Sequence, residues 1–123
     1  MKNIAKINSV VFNDNVKFLF FELIDNLYQK GYFGFLDEAK EYVLEIEQYF
    51  QSEIPKLHQL GLNKKAMPYF GKYGKDLFFA AYRRTKTHTT WYAFYEIFDN
   101  KYFKVVHIIN SHTKEAAYIE HVL

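Results

Sequence analysis

Between Thr89 and Tyr118 the chain reads TTWYAFYEIFDNKYFKVVHIINSHTKEAAY, and this stretch restricts the fold more than any other. From Thr90 to Phe98 the apolar residues are nearly continuous and rich in aromatics, which suits a central strand. Asp99-Asn100 then offers a two-residue turn whose side chains tolerate positive φ, and Tyr102 to Ile109 returns as the partner strand. At Asn110-Ser111-His112-Thr113 the apolar run stops. Small polar residues that favour helix caps stand there, ahead of an expected terminal helix from Lys114 to Val122.

The upstream residues say what such a hairpin packs against. Ile4 to Phe12 alternates imperfectly and is expected to form a first strand, with Asn13 or Asp14 capping the next element. From Asn15 to Lys30 the apolar positions Val16, Leu19, Phe20, Leu23, Ile24 and Leu27 keep helical spacing. Gly31 to Phe35 interrupts the pattern, which resumes from Leu36 until Pro55 ends it near Ile54. So short a link makes the two helices antiparallel neighbours. Lys56 to Lys75, punctuated by Gly61, Pro68, Gly71 and Gly74, reads as an irregular surface segment pinned down by its apolar members. Leu77 to Arg84 follows as the second strand, and Thr85 to His88 as a polar turn. The expectation is one α+β domain over 1–123: an N-terminal strand and an antiparallel helical hairpin on a small, mostly antiparallel sheet, with a short C-terminal helix.

A chain of 123 residues is long enough to bury a core without covalent staples. It has no cysteine, which rules out disulfides and thiolate metal sites. No run approaches the roughly 20 apolar residues of a membrane span, and MKNIAKINSVVF is too polar for a signal-peptide core, so a cytoplasmic location is expected. The net charge of +2 is divided unevenly. Residues 1–61 carry six Lys against nine Asp and Glu, whereas residues 62–123 carry ten Lys and Arg against five. A basic sheet half beside an acidic helical half suits contact with nucleic acid or with an acidic protein partner.

Arg83, Arg84, Lys86 and His88 form the densest polar cluster, at the end of the second strand and in its turn. Alternation along a strand sends Arg83 and Arg84 to opposite faces, so only one of them reaches a site on the open face of the sheet. A guanidinium there would hold a phosphate through paired hydrogen bonds; otherwise the cluster is a charged strand end that discourages edge pairing. His112 exchanges a proton near neutral pH or simply caps the last helix. His107 and His121 are further histidines, of which His107, alone on an apolar strand, reads first as packing. No grouping of His, Asp and Glu has metal-ligand spacing, and no phosphate-binding glycine loop or nucleophile elbow is present.

The succession LYQKGYFGF (27–35), MPYFGKYGKDLFFAAYRR (67–84), TTWYAFYEIFDN (89–100) and IINSHTKEAAYI (108–119) resembles the RelE/ParE superfamily of toxins from type II toxin-antitoxin systems, in its Bacteroidetes-like variants. That resemblance spans most of the chain. It implies a cognate antitoxin as partner, no cofactor and no metal, and either a ribosome-dependent mRNA endoribonuclease or an inhibitor that binds DNA gyrase. In the endoribonuclease case it implies catalytic roles for His112, Tyr118 and Arg84, with Arg83, Lys86, His88 and Lys114 on the substrate. His112 stands where the family often has arginine, and Trp91 and Tyr92 occupy a strand on which active members carry cations. The second departure favours the gyrase-binding form. A non-toxic interaction module of the same fold is the third expectation.

Overall fold

The computed structural model describes residues 9–31, 33–56, 60–61, 66–83, 89–99, 101–112, 116 and 119. Its elements are β1 (Val10–Phe12), α1 (Asp14–Gln29), α2 (Leu36–Glu53), β2 (Leu60–Gly61), α3 (Met67–Phe70), β3 (Phe78–Arg83), β4 (Thr90–Phe98) and β5 (Tyr102–Asn110). Five strands form one sheet in the order β1-β5-β4-β3-β2. All neighbours are antiparallel except β1, which lies parallel to β5 with Val10 opposite Phe103 and Phe12 opposite Val105. The α+β class, the N-terminal strand and the mostly antiparallel sheet are as expected.

Asn13 decides how α1 starts. Its side-chain oxygen accepts the Val16 N–H at 2.9 Å, an N-cap, while its backbone N–H donates to Val105 O at 3.0 Å and its amide nitrogen to Val106 O at 3.4 Å. One residue thus closes the helix and fastens it to β5. Gly31, at φ +77°, ends the helix in the left-handed region that side chains avoid. At the hairpin, Asp99 adopts φ +53° and the Lys101 N–H bonds back to Phe98 O at 2.9 Å. Asn100 lies outside the described residues.

The helical hairpin covers one face of the sheet. Val16 and Phe20 of α1 and Tyr42, Val43, Ile46 and Phe50 of α2 bury against Ala80, Trp91, Ala93, Tyr95, Val105 and Ile108. Each large side chain so buried contributes about 1.5–3 kcal/mol. Tyr95 is fully enclosed there, and its hydroxyl is the one buried side-chain polar atom without a hydrogen bond among the described residues. Burial pushes that phenol up to about 12. An unmatched buried hydroxyl costs stability that phenylalanine would not. Tyr95→Phe is therefore expected to raise stability by about 1 kcal/mol in urea unfolding; a clear loss would mean that the hydroxyl has a partner.

The opposite face departs from expectation. It is not open: Phe70, Leu77, Phe79, Tyr92, Phe94 and Val106 form a second buried cluster there, joined by Ala66, Ala116 and Ile119. Lys56 to Lys75 is correspondingly not an irregular surface segment. It contributes β2, whose Leu60 and Gly61 pair with Phe79 and Phe78, and α3 with the 3-10 turn Gly71–Tyr73 that follows it. Phe70 stacks on Phe94 with ring centroids 4.6 Å apart. Most of the expected terminal helix lies outside the described residues. Within it, Ala116 and Ile119 are buried and linked by an Ile119 N–H to Ala116 O bond of 3.1 Å, one helical turn.

A bulge in β5 sets which side chains look where. Phe94 pairs with His107 and Tyr95 with Val105, so β5 has one residue more than β4 at this point. Val106 and His107 consequently both face the second cluster, and Ile108 returns to the helical face. Asn13 holds the carbonyl of the additional residue, Val106.

Candidate functional site

At the end of the sheet where β4 begins and β5 ends, backbone and side chains form a closed polar corner. The Thr90 N–H donates to Ser111 Oγ at 3.0 Å and the Ser111 N–H to Thr90 O at 2.8 Å. Asn110 Oδ1 accepts the His112 N–H at 2.9 Å, an Asx-type turn that stops the strand and swings the chain aside. Thr89 Oγ1 and His112 Nε2 lie 3.0 Å apart, a hydrogen bond in which either atom donates according to the imidazole tautomer. Four short contacts therefore fix an exposed histidine at the mouth of a cleft.

That cleft, about 590 Å³, lies between the hairpin link and the sheet end. Leu23, Leu27, Phe33, Tyr42 and Trp91 give it apolar walls, and Asn26, Lys30, Thr89, Asn110 and His112 a polar rim. Trp91 is buried. Its ring lies on the helical face, where Nε1–H donates to the Tyr42 hydroxyl at 2.8 Å, and Tyr92 is buried on the other side against Phe79. Asn26 in the last turn of α1 and Lys30, the residue that caps its end, lie beside the apolar stripe that faces the sheet and join Asn110 and His112 only through the fold.

Comparison with protein-family models, with curated proteins and with solved structures finds no match to this chain.

Of the catalytic and substrate-binding residues expected from the sequence, Arg83 and His112 are described, and they do not share a face. Arg83 is exposed and pairs with Thr90, which places it at the same end of the sheet as His112. Strand alternation from Phe79, however, turns Arg83 towards the second face, whereas His112 borders the cleft on the helical face. Arg84, Lys86, His88, Lys114, Tyr118 and His121 lie outside the described residues. Among the described residues no three His, Asp or Glu side chains gather as metal ligands, and no helix is long and apolar enough to cross a membrane.

His107 is not a fully sealed packing residue. It is half-buried on the second face, stacked on Tyr73 at 3.9 Å with an interplanar angle of 11°. Burial, aided by the nearby Lys72 ammonium, lowers its pKa. The folded state thus holds the neutral ring, and protonation favours the unfolded chain. His107 supports stability fully above the ordinary histidine range, and that support is lost as pH falls through about 6.5 towards the lowered folded value. Urea midpoints are expected to drop more between pH 7.5 and 5.5 in the native chain than in His107→Phe; equal drops would assign the loss to other groups.

Proposed function

We propose that this chain is the toxin of a RelE/ParE-like toxin-antitoxin pair and that it cuts mRNA on the ribosome, in the metal-independent manner the resemblance implies. The observation that carries the reading is His112, held through Nε2 by Thr89 at the mouth of a cleft that also presents Lys30. A histidine so placed can take the proton from an RNA 2′-hydroxyl. The 2′-oxygen then bonds to phosphorus and the bond to the 5′-oxygen breaks; that oxygen takes a proton from water and the imidazolium returns its own to solvent, leaving a 2′,3′-cyclic phosphate and a 5′-hydroxyl end. Lys30 is the cation within the cleft able to offset charge on the phosphate oxygens. Arg83, at the same sheet end but on its other face, suits a neighbouring phosphate as the strand passes round the edge.

Purified chain added to a cell-free translation reaction, with mRNA ends mapped by primer extension, tests this directly. Cuts that appear only on translated mRNA support it, and intact mRNA with normal protein yield overturns it. A second reading, gyrase inhibition by binding, draws on a different surface: Phe18 and Phe21 of α1 are 60% and 73% exposed on the outer side of the hairpin. Exposed aromatics of that kind suit a protein partner, whether gyrase or the antitoxin. A gyrase pull-down in which Phe21→Ala binds as well as the native chain would remove this surface from consideration. Growth unaffected by strong induction would leave the non-toxic interaction module.

A further inference from the structure

A second cavity, about 340 Å³, opens on the face of the sheet away from the helical hairpin. Pro68, Tyr69, Phe70, Lys72 and Tyr73 wall it from the α3 segment, and His107 and Ile109 from β5. We propose that it binds a nucleobase carrying one phosphate, with the edge of the base on the His107 imidazole and the phosphate at Lys72.

Three observations bear on it. First, the bulge at Val106 turns the His107 ring towards the second buried cluster, where a plain two-residue alternation would have put it on the helical side. Second, Tyr73 covers one face of that ring at 3.9 Å and Phe94 lies beside it at 6.3 Å, so the ring nitrogens at its edge are the groups that can bond a ligand. Among the described residues neither ring nitrogen makes a hydrogen bond. Burial favours the neutral ring, which has one N–H donor and one acceptor nitrogen pointing in different directions. A nucleobase edge, which carries both donors and acceptors, can meet either nitrogen with a single hydrogen bond. Third, the Lys72 ammonium lies 5.2 Å from the Tyr73 ring centroid, at the solvent side of the same cavity, within the basic portion of the chain. Aromatic rings, a neutral imidazole and one cation match a base with a phosphate better than they match either a bare anion or an apolar ligand.

The shared chemistry has two sources, a free nucleoside monophosphate or one residue of a single-stranded RNA. Neither requires that His112 cleave anything, so the site goes beyond the nuclease reading and fails separately from it. The experiment is an NMR titration following the ring protons of His107 and Tyr73, with AMP, GMP, CMP, UMP, the matching nucleosides, inorganic phosphate and a tetranucleotide RNA as probes. Saturable shifts are expected with at least one monophosphate. Lys72→Gln should weaken the monophosphate about tenfold and its nucleoside little, and His107→Phe, which keeps the stack on Tyr73, should weaken both about tenfold. His112→Ala should leave binding unchanged. Tighter binding of the tetranucleotide would assign the site to RNA, and equal binding to free nucleotide. Shifts with phosphate alone, no shifts at all, or full binding by a folded His107→Phe would each overturn the proposal; unfolding midpoints of both variants confirm that the fold is retained.

Discussion

His112→Ala is expected to lower ribosome-dependent mRNA cleavage by about 10²–10⁴-fold, the usual contribution of a positioned acid-base group. Growth of cells expressing the variant should recover accordingly. Stability should change by less than about 1 kcal/mol, because the ring is exposed and the polar corner loses only its bond to Thr89. The remaining contacts of that corner, Thr90 with Ser111 and the His112 N–H with Asn110, involve no imidazole atom and should persist. Primer extension on the same message, at matched folded protein, separates the two effects. A folded variant that cuts as well as the native chain would remove His112 from the chemistry. Thr89→Val supplies the positioning control: freeing Nε2 should lower the cleavage rate while Thr89→Ser, which keeps the hydroxyl, restores it.

The helical layer was legible because its signal is local. Val16, Phe20, Leu23, Ile24 and Leu27 mark one face by spacing alone, and Gly31 ends that helix for a conformational reason visible in any sequence. The β4-β5 hairpin was legible from Asp99 and its flanking apolar runs. The parallel pairing of β1 with β5 joins residues at opposite ends of the chain, and nothing near Val10 announces it. The bulge was hidden as well. In FKVVHII the apolar residues run on through Val105 and Val106, so the break in alternation leaves no trace, and His107 changes face unseen. The same distance effect concealed the cleft: Asn26 and Lys30 look like ordinary solvent positions at the end of α1 until Asn110 and His112 are brought beside them. The position of His112 at the strand exit, by contrast, is readable, because a polar residue directly after an apolar strand is a local signal.

Phe94→Ala is expected to cost about 3–5 kcal/mol, enough to unfold a marginal domain at moderate temperature. The reason lies in the face of the sheet that sequence reading leaves open. Phe94 is fully buried there, stacked on Phe70 at 4.6 Å and neighboured by His107 at 6.3 Å. Truncating it removes the middle of that aromatic group, and a four-residue α3 has little helical strength of its own with which to hold Phe70 in place. Were this face solvated, the substitution would fall within about 0.5 kcal/mol of neutral. Urea unfolding distinguishes the two outcomes with a wide margin. A small loss would mean that Met67 to Tyr73 does not pack on the sheet, and with it would go the walls of the His107 cavity. A large loss ties the stability of the second face to the same residues that shape that cavity, so that positions such as Lys72, which line it from the exposed rim, are the ones at which its chemistry can be altered without unfolding the chain.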